Sequence, residues 1–196
     1  MKLTTLIAMM ALVAAGLHAE QYKIDGSHSK AQFSVKHLMV SNVRGEFGKM
    51  IGTVDFDDKN TGATKIDVTL DATTINTGVT KRDDHLRSAD FFETAKFPTL
   101  SFKSTSAKKT ADGLAVTGEL TMHGVTKVVV LNVEGPTPEI KDPWGNQRRG
   151  ATATTKIKRS DFGLKWNQAI EAGGVVVGDD IAITIDVEAT RAGAKK

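Results

Sequence analysis

Apolar and polar residues alternate with a period of two over most of this chain. Ala31, Phe33 and Val35 alternate with Gln32, Ser34 and Lys36, and Ile66, Val68 and Leu70 with Lys65, Asp67 and Thr69. Leu100 and Phe102 alternate with Ser101 and Lys103. Leu114, Val116, Gly118 and Leu120 share one side of their run, and Ile181, Ile183, Ile185 and Val187 share one side of theirs. Successive side chains of a strand point to opposite faces, so this pattern gives each strand one wet and one dry face, as in an antiparallel sheet. Turn residues punctuate the runs at Asn60-Thr61-Gly62, Asp112-Gly113 and His123-Gly124. The last lies between Thr121-Met122 and Val125-Thr126, where a two-residue loop ending in Gly reads as a tight hairpin. Eight strands follow, near 30–37, 43–56, 64–75, 98–107, 113–122, 125–134, 148–160 and 179–190. That number of antiparallel strands closes into a barrel or packs as a sandwich.

One stretch departs from the pattern. Thr80-Lys81-Arg82-Asp83 has the Thr-x-x-Asp form of a helix start, and Ser88 offers a second cap before Asp90-Phe91-Phe92. Pro98 ends the segment. A short helical connection is therefore expected near residues 79–92. Pro136 to Gly145 reads as a loop, and Asp161 to Gly178 as an irregular Gly-rich segment containing Trp166.

An eight-stranded barrel either fills its interior with side chains or holds one small ligand. The dry faces place Phe33, Val35, His37, Val68, Leu70, Phe102, Val116, Ile183 and Ile185 toward such an interior. His37, on the same side as Phe33 and Val35, reads as luminal or as satisfied by a hydrogen bond in the core. Small residues at Ala31, Gly118, Ala151, Ala153 and Ala189 leave room on these faces. Two readings stay open: space for a ligand, or close strand crossings in a packed core.

The N-terminus adds an address. Lys2 precedes an apolar or small run from Leu6 to Leu17, and Ala19 closes a cleavage site before Glu20. The run is shorter than the roughly 18 to 20 residues of a membrane-spanning helix, so stable membrane insertion is not expected. Residues 1–19 read as a cleaved signal peptide and residues 20–196 as a single domain. The formal net charge of +3 is spread along the chain without a basic block, which argues against nucleic acid as a partner. There is no cysteine. Thiol nucleophiles and Cys-based metal sites are thereby excluded, and an exported chain of this kind relies on packing rather than disulfides.

Several blocks in fixed order carry a resemblance. Tyr22-Lys23-Ile24-Asp25, His28-Ser29 and Phe33-Ser34-Val35-Lys36-His37-Leu38 come first, then Gly45-Glu46-Phe47. The longest runs from Arg82 to Phe92 and is followed by Phe97-Pro98. Leu120-Thr121-Met122-His123-Gly124-Val125-Thr126-Lys127, Phe162-Gly163-Leu164-Lys165-Trp166-Asn167 and Gly173-Gly174-Val175-Val176-Val177-Gly178-Asp179 complete the set. Together they resemble the YceI-like family of bacterial periplasmic proteins from Tyr22 to Glu188. The resemblance implies an extended, lipocalin-like, eight-stranded antiparallel β-barrel. It implies an apolar lumen for a polyisoprenoid chain, such as a polyprenyl diphosphate or a quinone tail, or for another long amphiphile. Periplasmic location and a link to alkaline or osmotic stress are implied with it. His123-Gly124 stands where many relatives have Asn-Gly, and the Gly173 to Asp179 ending marks one branch of the family.

Candidate chemistry is sparse. His28, His37, His85 and His123 form neither His-x-His nor His-Glu-x-x-His, so no metal site is expected. His123 reads as a turn residue. Asp83-Asp84 and Asp179-Asp180 read as cap and turn residues. No nucleophile elbow is present, and no catalytic residue is assigned. Arg82, His85 and Arg87, with Trp166, are the candidate mouth residues. Arginine can grip a phosphate bidentately, which would make this block a head-group clamp. The alternative is that its Arg and Asp side chains pair and pin the helix across one end. The expected function is a periplasmic carrier of an isoprenoid lipid, with the lipid as a non-covalent ligand and no other cofactor. An enzyme acting on a lipid or lipid diphosphate, and an interaction module with a filled core, are the alternatives. A homodimer is left open.

Overall fold

The computed structural model describes residues 19–171 and 173–192. Apart from Ala19, the expected leader lies outside the described residues. The chain order is β1 (Glu20–Ile24), β2 (Lys30–His37), β3 (Ser41–Phe47), β4 (Ile51–Phe56), β5 (Lys65–Asp71), α1 (Thr80–Arg87), β6 (Thr99–Lys109), β7 (Gly113–Met122), β8 (Val125–Glu134), β9 (Ile140–Lys141), β10 (Gln147–Lys158) and β11 (Val177–Arg191).

Eight of these strands form a closed antiparallel ring in the order β1-β4-β5-β6-β7-β8-β10-β11. Closure rests on β11, which pairs with β10 along its length from Asp180 to Arg191. Its other edge is shared: Thr190 and Ala189 face β1, and Val177 to Asp186 face β2. The β2–β3 hairpin thus continues the wall where β1 stops, and a bridge between Glu46 and Asn76 ties β3 to the segment after β5.

The ring of eight is composed differently from the sequence expectation. β1 was not among the expected strands. The single strand expected at 43–56 is two, separated by a turn in which Lys49 adopts φ 50°. The 64–75 strand stops at Asp71. There a 3-10 turn, Ala72–Thr74, is capped by the Asp71 carboxylate accepting from the Thr73 N–H. The His123-Gly124 hairpin forms as expected, with φ of 52° and 73° at its two central residues.

Alternation needs one adjustment to hold the dry face inward along β6. Ser104 pairs with Gly118 but Ser106 pairs with Thr117, so one extra residue bulges out. Leu100 and Phe102 therefore point inward before the bulge and Ala107 after it. The buried residues fall into two clusters along the barrel axis. One gathers Tyr22, Phe56, Leu114, Val116 and Leu131; the other gathers Phe47, Ile75, Leu100, Met122, Phe162 and Leu164, with Leu86 of α1 against it.

The helix is one short element. Its N-cap is Val79 rather than Thr80, and no side chain caps it. The Asp83 carboxylate instead reaches back to accept from the Thr77 N–H at 2.8 Å and from the Thr77 hydroxyl. Asp83 is buried by this contact. Ser88 does not start a second helix; residues 88–97 form a chain of turns before β6.

Candidate ligand-binding cavity

The inward faces enclose a cavity of about 250 Å³ that runs between the two clusters. Phe33, Val35, Val68, Leu70, Phe102, Val116, Ile183 and Ile185 all line it. His37 does not. On β2 the lining includes Val35 but not His37, although His37's partner on β11, Val177, which lies across a register shift from Ile181, does line the cavity. Ala31, Ala151, Ala153 and Ala189 also line the cavity. Gly118 acts otherwise: a Cβ there would stand 2.4 Å from Phe102 Cζ and 2.6 Å from the Lys103 carbonyl oxygen. Its missing side chain is filled by the Phe102 ring, not left for a ligand. Gly45 makes the same accommodation for Phe33, whose Cζ would lie 2.5 Å from a Cβ.

The α1 end is closed by aromatic packing. Phe47 meets Phe33 at 5.8 Å between centroids and Phe92 edge-on at 5.4 Å. Phe91 lines the cavity and packs against Trp166 at 5.2 Å, and His85 stands edge-on to both rings at 5.0 Å. His85 Nε2 lies 2.8 Å from the Asp90 carboxylate. The structure thus brings His85 and Trp166 together behind Phe91. Arg82 and Arg87 do not line the cavity. Arg82 donates from Nε to the Thr77 hydroxyl at 2.7 Å and from Nη2 to the Thr77 carbonyl at 2.9 Å. Arg87 donates to the carbonyls of Thr73 and Ile75, both at 2.9 Å, and to Asp84 at 3.0 Å. These bonds pin α1 across the loop that follows β5. The geometry is the helix-pinning alternative, not a clamp open to a phosphate.

A charged network closes the opposite end. The Tyr22 hydroxyl donates to Glu139 and accepts from Arg149 Nε at 3.0 Å; Glu139 accepts twice from Arg191 at 2.9 Å. Arg149 pairs with Asp58 and stacks over the rings of Tyr22 and Phe56 at 5.7 and 5.2 Å. It also lines the cavity. Burial works against its charge, yet the bonds to Tyr22 and Asp58 outweigh that and raise its pKa. Outside the wall, Arg148 is held by Asp25, Glu188 and Asp142 at 2.8, 2.6 and 3.4 Å. Arg148, then His28, hold the Asp25 carboxyl down to about 2. Asp25, His28 and Glu188 are close enough to share an ion, but the Arg148 guanidinium already stands between the two carboxylates.

Sequence reasoning did not place Leu86, Phe91, Phe92, Leu164 or the two arginines of the lining, Arg149 and Arg159, in the lumen. For the arginines a signal was present. Arg149, Ala151, Ala153, Thr155, Ile157 and Arg159 share one parity on and just past β10, so both cations fall on the dry side.

A closed antiparallel barrel around an apolar cavity, shut by a helix at one end and a salt-bridge network at the other, defines a β-barrel with an apolar interior. The chain belongs to the YceI-like domain family, whose model matches residues 22–189. Protein YceI of Escherichia coli O6:H1 is 45% identical over 160 residues, covering 81% of this chain and 83% of the relative. The solved structure of Campylobacter jejuni YceI protein is 36% identical, with a TM-score of 0.66, over 80% of this chain and 89% of that one. A polyisoprenoid binding domain from Saccharophagus degradans shares the fold at 17% identity, with a TM-score of 0.62, over 86% and 97% of the two chains.

Proposed function

We propose that this protein binds a long-chain isoprenoid lipid by its tail inside the barrel and carries it through the periplasm, without acting on it chemically. The observation that carries the reading is the cavity itself: an apolar space threaded along the barrel axis and lined almost wholly by aliphatic and aromatic side chains. An empty apolar cavity forfeits contacts for every lining atom, and a hydrocarbon tail restores them. At about 0.8 kcal/mol per buried carbon group, a partly enclosed tail offsets the cost of ordering it. The Saccharophagus domain, described as polyisoprenoid-binding, supports the ligand class. No Asp, Glu or His lines the cavity among the described residues. The Lys2 to Ala19 leader pattern and the family support a periplasmic site of action, and the implied stress role belongs to the same reading.

Native mass spectrometry of protein purified from its own host's periplasm tests this. The expected result is a mature chain beginning at Glu20 with a long isoprenoid attached. A hydrolysed product in the barrel would point to an enzyme. A barrel that stays empty and takes up no added isoprenoid would refute the carrier.

A further inference from the structure

Arg159 is the first residue of the 3-10 turn that follows β10, at the α1 end of the barrel. It is 6% exposed and lines the cavity. Its guanidinium donates from Nε to the Gly178 carbonyl at 3.0 Å, from Nη1 to the Leu164 carbonyl at 2.6 Å and from Nη2 to the Val177 carbonyl at 3.4 Å. An arginine has five N–H donors. These bonds account for three of them.

What the site lacks is a counter-charge. No carboxylate oxygen among the described residues lies within 4.0 Å of this guanidinium. Asp179 is the nearby acid, but its carboxylate is engaged by the Ser160 N–H at 3.0 Å and the Ser160 hydroxyl at 2.8 Å. Burial pulls the Arg159 pKa below the ordinary arginine value, with Asp179 only partly opposing it. The other cavity-lining arginine differs: Arg149 has Asp58 and Tyr22. Arg148 and Arg191, beside it, are likewise paired with carboxylates. A buried cation without a paired anion is costly, and it strongly favours any anion that can reach it.

We propose that Arg159 is the anion site of the cavity: it receives the phosphate or diphosphate head of an isoprenoid lipid at the α1 end, with the tail running toward Tyr22. The assignment rests on the lipid-binding reading above and deepens it by choosing the head-group chemistry and the end. It replaces the half-buried Arg82 and Arg87, which are engaged by the loop after β5, with a more deeply buried cation, where a charge-assisted bidentate bond is stronger than at the surface.

The test compares geranylgeranyl diphosphate with geranylgeraniol, which share one chain and differ in the head. The wild-type protein should bind the diphosphate at least roughly ten-fold more tightly, and Arg159→Gln should abolish that preference while leaving the alcohol within about two-fold. Arg159→Lys, which keeps the charge but not the fork, should retain part of the preference. A second readout needs no variant to fold by itself: in wild-type protein the Arg159 Nε–H resonance should move on adding the diphosphate and stay still with the alcohol. Inorganic pyrophosphate at the same concentration should leave it still; a shift there would reassign the site to a free anion and overturn the lipid-head assignment. An unmoved resonance with bound diphosphate, or equal loss of both ligands in Arg159→Gln together with a lower Tm, would make Arg159 a staple for the 164–178 segment and refute the proposal. If wild-type protein binds neither lipid, it is the lipid-binding reading that fails.

Discussion

Ala153→Phe separates binding from folding more cleanly than any disruptive change. Ala153 lies on β10 between Val133 of β8 and Ile185 of β11, is 8% exposed, and faces the cavity. A phenylalanine there projects its ring into a space of about 250 Å³ bounded by aliphatic side chains. It would bury roughly 100 Å² more apolar surface than alanine, worth about 2 kcal/mol at about 25 cal/mol per Å². Overpacking against Val133 and Ile185 subtracts about 1 kcal/mol or more, so the empty protein should be as stable as wild type or slightly more so. The tail loses that same space, and affinity for geranylgeraniol should fall at least roughly 30-fold, or about 2 kcal/mol. Urea unfolding of the lipid-free protein and a fluorescence displacement titration measure the two quantities. Stability that holds while affinity collapses supports a ligand cavity. A folded Ala153→Phe protein that binds the lipid as wild type does would show that the tail lies elsewhere. A large loss of stability would show that the interior has no room for the ring.

Three further outcomes follow from the same geometry. The Asp25 carboxyl is held near 2 by Arg148, against an ordinary value of 3.8. Its folded pKa is depressed, so its contribution is present above about pH 4 and is lost as pH falls through 2. Solvent screening of this partly solvated carboxylate reduces the contribution to about 1 kcal/mol, which Asp25→Asn should lose already at neutral pH, with a flatter acid dependence in urea titrations. Arg82→Gln combined with Arg87→Gln removes four bonds from α1 to the loop after β5. Stability should drop by about 2 kcal/mol by thermal or urea unfolding, and diphosphate and alcohol affinities should fall together rather than selectively. Gly118→Ala places a methyl against the Phe102 ring and the Lys103 carbonyl, and should destabilise the fold by about 1 to 3 kcal/mol, measured by the shift in urea midpoint.

Much of this protein is written in local sequence because the strand period is short. Alternation alone placed Val68, Leu70, Val116, Ile183 and Ile185 on the dry face, and positive φ at His123-Gly124 follows from the turn residues between two runs. The same rule, carried one pair past Ile157, reaches Arg159. The basic neighbours Lys156 and Lys158 make that stretch look solvated, and alternation cannot say whether a cation on the dry side meets a carboxylate. β1 was illegible for a different reason. Five residues give Tyr22 and Ile24 little pattern to repeat, and its place in the ring is fixed by partners at Thr190 and Val54, far along the chain.

Tertiary structure decided what depends on meeting across the barrel. The charges of Arg82 and Arg87 suggested a phosphate clamp, but their partners are the carbonyls of Thr73, Ile75 and Thr77, the Thr77 hydroxyl and Asp84, and sequence spacing does not bring the first four to mind. Gly118 and Ala153 are both small residues on the dry face. One is filled by Phe102 from the neighbouring strand and the other borders open space, a distinction set by register and by the bulge at Ser104–Ser106. His37 keeps the parity of Phe33 and Val35 yet does not line the cavity, although its β11 partner Val177 does. Side-chain direction is a property of one strand and can be read from it. Neighbours are a property of two or more strands, and only closure of the ring supplies them.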